Sequence, residues 1–190
     1  MVDKEEAGLL SEKQGQALIR LVRKTIMEEL KLPITAQLEA LSAACWHAPV
    51  FQENRGVFVT LHWAGRLRGC IGEIEGRRPL VDAVAENGRN AAVRDPRFPP
   101  VSSGELETIE IEVSALTPIE AVAGPSEIVM GGHGVVLVKG PRRAVVLPQV
   151  APEQGWDLDT TLTHLALKAG LGPDQWRQDT EFLVFEAEVF

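Results

Sequence analysis

The sequence predicts an α+β protein: mainly antiparallel sheets with flanking helices. Three observations predict it. ETIEIEVSALT (107–117) sets Ile109, Ile111, Val113 and Ala115 on one face against Glu110, Glu112 and Ser114 on the other, the period of a half-buried strand. GVVLVKGPRRAVVLP (134–148) reads as a hairpin whose turn includes Gly140 and Pro141. Runs of strand are broken by helices, and the strands are half-polar, which favours antiparallel pairing over a parallel sheet covered on both faces.

Each element follows in order. A helix is expected over 11–31, where Ser11 and Gln14 make a capping-box pattern and Leu18, Leu21, Val22, Thr25, Ile26 and Leu30 recur at helical spacing. Pro33 ends it. A shorter helix is expected over 35–46, then a loop through HAPVFQENRG. VFVTLHW (57–63), rich in β-branched and aromatic residues, is a strand. PLVDAVAENGRNAAVRD (79–95) is a helix with Pro79 in its first turn and Asp95-Pro96 closing it. Gly88 inside that helix costs about 1 kcal/mol relative to alanine. Asp157 or Asp159 caps a helix through 168, with Gly170 at its C-terminal end. EFLVFEAEVF (181–190) closes the chain as a final strand.

Composition narrows the function classes. A chain of 190 residues fits one domain, or two small lobes sharing a core. No run of about 18 apolar residues is present, so no membrane-spanning helix is expected. MVDKEEAGLL lacks an apolar signal core, and Cys45 and Cys70 form no CxxC and are too few for a disulfide framework. Both point to the cytoplasm. The net charge of −8 argues against general binding to nucleic acid or an anionic membrane. Arginine is nevertheless concentrated: Arg66, Arg68, Arg77, Arg78, Arg89, Arg94 and Arg97 share one window with only five acids. A small anion or an acidic partner patch suits that window better than a duplex, and a solvated arginine-rich face is the plain alternative. His47, His62, His133 and His164 show no zinc spacing, so no metal is expected. There is no GxGxxG after a strand and no P-loop, and the sequence names no cofactor.

The stretch RLRGCIG (66–72) stands out, because a cysteine held between glycines follows two alternating arginines. If it pairs with 57–63, a two-residue Ala64-Gly65 loop sets Trp63 opposite Arg66 and Val59 opposite Cys70. A three-residue loop with Gly65 left-handed sets Thr60 opposite Arg68 and Phe58 opposite Cys70. The second register is preferred, since it leaves Val57, Val59, Leu61, Leu67 and Ile71 as one apolar face and puts Arg66, Arg68 and Cys70 on the other. Three readings of the chemistry stay open. Cys70 is a nucleophile or redox thiol favoured as thiolate by a nearby guanidinium. Alternatively, Gly69 and Gly72 let backbone N–H groups and Arg68 cradle a carboxylate or phosphate, with Thr60, Glu112 and Ser114 completing a polar pocket. In the third reading the glycines permit close packing around a small buried thiol.

From about residue 9 onward the chain resembles the AMMECR domain, known in bacteria and archaea as AmmeMemoRadiSam system protein A. The segments that carry the resemblance are GVFVTLHWAGRLRGCIG, RPLVDAVAENGRNAAVRDPRFPPV, ELETIEIEVSAL, GGHGVVLVKGPRRAVVLPQVAPEQGWD and LKAGLGPDQW, in the family's order. The resemblance implies a single AMMECR-type domain over 1–190 made of two closely packed lobes with a cleft between them, the smaller lobe within 55–100. Leu67 to Gly72 match the hallmark, Asp95, Arg97 and Phe98 match its DPRF segment, and Glu112 and Ser114 match its EVS segment. Asp95 and Arg97, with Phe98, are expected to lock the lobes. Where the family often carries a cysteine before KAGL this chain has Ala166, so a dithiol mechanism is not expected.

The implied function is that of a cytoplasmic accessory protein binding a small anionic ligand, or a partner protein, around LRGCIG. The implied partners are a protein similar to extradiol dioxygenases and a radical SAM enzyme. An enzyme using Cys70 is the alternative, and an RNA-binding protein the second alternative.

Overall fold

The computed structural model describes residues 10–34, 36–39 and 45–190, and the fold is α+β with antiparallel strand pairings. The chain divides into two compact units. One runs through Leu116 and adds Glu188–Phe190, and the other is Thr117–Ala187. Residues 55–100 lie wholly inside the first.

The first unit opens with α1 (Glu12–Glu29), started by the expected capping box between Ser11 and Gln14. It stops before Pro33 because Lys31 turns left-handed (φ 56), so that Lys31 and Leu32 donate their N–H groups back to Glu28 and Met27. Of the helix expected over 35–46, the described part is α2 (Ala36–Glu39) and a 3-10 turn at Cys45–His47; residues 35 and 40–44 lie outside the described residues. Next come α3 (Pro49–Gln52), β1 (Val57–Trp63), β2 (Arg66–Glu73), α4 (Leu80–Val93), α5 (Ser103–Leu106) and β3 (Glu110–Leu116). With β8 (Ala187–Val189) the strands form one sheet in the order β2-β1-β3-β8.

Helices α1 and α4 pack on each other and on this sheet. Leu18, Val22 and Ile26 of α1 meet Leu80 and Val84 of α4 and Val57, Val59, Leu61 and Val113 of the sheet in a fully buried core. Each such side chain contributes about 1.5–3 kcal/mol on burial. Gly88 is explained here, since a Cβ would stand 2.9 Å from Cγ1 of Val22.

The second unit holds β4 (Glu120–Val122), β5 (Gly134–Lys139), β6 (Arg142–Val146), α6 (Val150–Gln154), α7 (Leu158–Lys168) and β7 (Glu181–Phe185), with sheet order β4-β7-β5-β6. Asp157 caps α7 by accepting the Thr160 N–H at 2.8 Å. Leu162, Leu165 and Ala166 of α7 pack with Val135, Leu137 and Phe182. Ala166 is fully buried in that contact.

The closing decapeptide is not one strand. It splits at Glu186 into β7 and β8, which belong to different sheets. Val184 and Phe185 are both buried, a break in alternation that one half-buried strand cannot carry. Beyond the split, Phe190 exchanges two backbone hydrogen bonds with Val113, both at 3.1 Å. The buried Arg55 donates to Leu116 O at 2.9 Å and pairs with Glu188, fixing the same terminal residues.

Candidate functional site

Neither expected register of the β1–β2 hairpin is right along its whole length. The turn is the two-residue Ala64-Gly65 loop, both residues left-handed (φ 50 and φ 71), and Trp63 pairs with Arg66. His62 then pairs with Leu67 but Leu61 pairs with Gly69, so Arg68 is a β-bulge, an extra residue. Past the bulge the phase has shifted by one, and Thr60 stands opposite Cys70. From the sequence this loop is disfavoured, because an unbroken pairing from it mixes apolar and charged residues on each face; the bulge removes that conflict by shifting the phase.

The shift decides which side chains meet. On β3, Thr60 stands opposite Glu112 and Phe58 opposite Ser114. Cys70, Thr60 and Glu112 thus form one row across three strands, on the sheet face away from the Val57–Val59–Leu61 core. Gly72, Phe58 and Ser114 form the adjoining row. The Thr60 hydroxyl donates to the Cys70 sulfur at 3.4 Å. His62 is two residues along β1 from Thr60, about 7 Å at the strand rise. Leu67, expected on the apolar face, is 42% exposed, and Arg66 lies with Trp63 at the hairpin end rather than beside Cys70.

The backbone of Cys70 is held by the turn after α4. Its N–H donates to Asp95 Oδ2 at 2.9 Å, and its carbonyl accepts from Arg97 Nη2 at 3.0 Å. Arg97 closes the triangle on Asp95, through Nε at 2.9 Å and Nη2 at 2.6 Å. Its guanidinium lies 5.5 Å from the Phe98 ring centroid. Asp95 is buried, and the Arg97 hydrogen bond outweighs that burial to hold its carboxyl far below the ordinary carboxylate range, with the N–H groups of Cys70 and Arg97 assisting. Arg97 is pushed up in turn, chiefly by Asp95 and to a smaller extent by the Cys70 thiol. These contacts all join residues of the first unit, so the lock closes within that unit, between β2 and the turn after α4.

Residues 19–190 match the AMMECR1 family model. The chain belongs to the AMMECR1 family. A protein of Methanosarcina barkeri is 43% identical over 96% of this chain and 92% of its own length. One of Methanothermobacter thermautotrophicus is 42% identical, over 95% of both chains. The crystal structure of an uncharacterized protein from Pyrococcus horikoshii superposes with a TM-score of 0.80 at 37% identity, covering 95% of this chain and 92% of that one.

In this AMMECR1-family chain the bulge carries Arg68 off the Cys70 row. Arg68 is 8% exposed, and its Nε and Nη2 grip both oxygens of Glu105 at 2.8 and 3.2 Å. Its Nη1 and Nη2 also donate to the carbonyls of Pro99 and Pro100, at 2.9 and 3.3 Å. Protein partners thus occupy the guanidinium that the sequence reading offered to an anion. Glu105 is held down to about 2, first by Arg68 and then by the Ser102 N–H. Sequence reading missed this partner, although the S-x-x-E capping box at Ser102–Glu105 is a legible signal. The hallmark glycines serve close approach. A Cβ on Gly69 would lie 2.2 Å from the Ala91 carbonyl of α4, and one on Gly72 would lie 2.3 Å from the Phe58 ring.

The arginine-rich window is largely neutralised. Arg68, Arg77, Arg78, Arg89 and Arg97 each pair with a carboxylate. Among the described residues no cluster of three or more His, Cys, Asp or Glu is placed to hold a metal ion, and no helix is long and apolar enough to cross a membrane.

Proposed function

We propose that this AMMECR1-family protein is a cytoplasmic accessory component of the AmmeMemoRadiSam system. It binds a small anionic ligand at the polar face where Cys70, Thr60 and Glu112 stand in one row. That row supports the reading, because it gathers a thiol, a hydroxyl and a carboxylate beside a half-exposed guanidinium. Arg97 is the cation suited to the ligand: Nε and Nη2 are engaged, whereas Nη1 has no partner among the described residues. Ser114 and Gly72 bound the site in the adjoining row.

The test is a melting-temperature screen with inorganic phosphate and small mono- and dicarboxylates as probes. A probe that binds here raises the melting temperature of the natural chain, and Glu112→Gln strengthens the rise by removing a like charge. Loss of response in Arg97→Gln completes the expectation; an undiminished response in that variant overturns the site. The two expected partners, the extradiol-dioxygenase-like protein and the radical SAM enzyme, enter the same assay as purified proteins.

A second reading is an enzyme with Cys70 as nucleophile. The register favours it, because His62 stands two residues, not four, from the partner of Cys70. Cys70→Ser abolishes any activity of that kind, and full activity in that variant removes this reading.

A further inference from the structure

The two sheets end on four edge strands, and edge strands invite pairing with other chains. Two of them, β4 and β8, are only three residues long. The longer edges, β2 with eight residues and β6 with five, are different. Each carries a cationic side chain on a backbone carbonyl: Arg97 on Cys70 O at 3.0 Å, and Lys168 on Val145 O at 2.9 Å. On β2 the neighbouring N–H is taken as well, by Asp95.

We propose that the Asp95–Arg97 pair is an edge guard. It imitates one rung of a neighbouring strand, carboxylate for carbonyl and guanidinium for N–H, and so keeps β2 from pairing with β2 of a second copy of this chain. The geometry names the pairing it prevents. The Cys70 N–H and C=O both reach side chains beyond the edge, so a second β2 laid antiparallel would exchange two hydrogen bonds at Cys70 with its own Cys70. Such a contact is isologous and closes as a two-fold dimer. It would hold the two Cα atoms about 5.5 Å apart, which brings both thiols within reach of a short cross-linker.

The guard differs from a support that merely stiffens the turn. A support, once removed, leaves a looser monomer; a guard, once removed, leaves a sheet edge that finds its own copy. Arg97 is 53% exposed at its side chain, so truncating it opens the edge without emptying the core.

The test uses the full chain with Cys45→Ser, which leaves Cys70 as its one cysteine. Arg97→Ala and Asp95→Ala/Arg97→Ala are compared with the Cys45→Ser chain by sedimentation velocity, by bismaleimide cross-linking, and by hydrogen exchange at the Cys70 amide. The expected result is a chain that stays uncross-linked and exchanges slowly when the pair is intact. Both variants form a dimer that rises with concentration and links through Cys70; the Cys70 amide is protected only in the dimer in the double variant, whereas in Arg97→Ala it still donates to Asp95. If the double variant does not melt cooperatively, Arg97→Ala carries the comparison through sedimentation and cross-linking. A cooperatively folded variant that stays monomeric at millimolar concentration overturns the proposal. So does a double-variant dimer whose Cys70 amide exchanges freely, or a chain with the intact pair that already links through Cys70.

Discussion

Asp95 Oδ2 accepts the backbone N–H of Cys70 at 2.9 Å, so the carboxylate cradled by the hallmark segment is one the protein supplies itself. Arg97 holds that carboxylate ionised far into acid, and Arg68 does the same for Glu105, down to about 2 from an ordinary 4.5. Both folded-state values are depressed, so both groups add stability that is complete above the unfolded values and lost as pH falls through the folded ones. The melting temperature should therefore fall steeply below about pH 4.5, with the Glu105 share gone once pH passes 2. Asp95→Asn and Glu105→Gln should each flatten that acid limb and cost about 2 kcal/mol near neutrality by urea titration. An acid limb unchanged in both variants would refute the assignment.

Arg68→Lys should destabilise by about 2 kcal/mol, because an ammonium cannot hold both Glu105 oxygens and two carbonyls from one plane. Urea unfolding measures it. The substitution should leave the alkylation rate of Cys70 near that of the natural chain, since the bulge points Arg68 off the thiol's row.

Two glycines in one hairpin should respond unequally to alanine. At Gly65 nothing lies within 4 Å, so only the left-handed backbone is penalised, by about 1–2 kcal/mol. At Gly69 the new methyl would meet the Ala91 carbonyl at 2.2 Å, and helix α4 must move off the strand. The Gly69 variant should lose about 3 kcal/mol or more, at the upper end of overpacking costs. Equal losses at the two positions would argue against the close approach of β2 and α4.

Thr60→Val removes the hydroxyl that donates to the Cys70 sulfur while keeping the shape of the side chain. Thr60 is half-buried, so losing this bond should destabilise the variant by about 1 kcal/mol, read by urea unfolding. A stability equal to or above the natural chain's would show that the hydroxyl does not bond the sulfur.

Much of the architecture was legible because period and caps are local. The Ser11 box, the Glu110–Ser114 alternation, the Gly140 turn and the Asp157 cap all lie within a few residues of what they determine. The polar face was half legible: alternation alone put Glu112 and Ser114 together, and the hairpin brought Thr60 and Cys70 to them. What was not legible depends on single residues acting against their preference. Ala64 accepts a left-handed φ, Arg68 is pushed out of register, and Val184 with Phe185 break the last strand. The reach of Arg68 to Glu105 and of Arg55 to Glu188 spans sequence separations that no local pattern encodes.

The division of the last ten residues between two sheets sets a timetable for synthesis. Glu188 and Val189 of β8, the Phe190–Val113 bonds and the Glu188 partner of buried Arg55 all belong to the first unit, yet they are translated after the whole of the second. On the ribosome the earlier unit must therefore wait, its β3 edge open and Arg55 without Glu188, until the later one has emerged. Only residues 188–190 then let the first-made half of the protein finish folding.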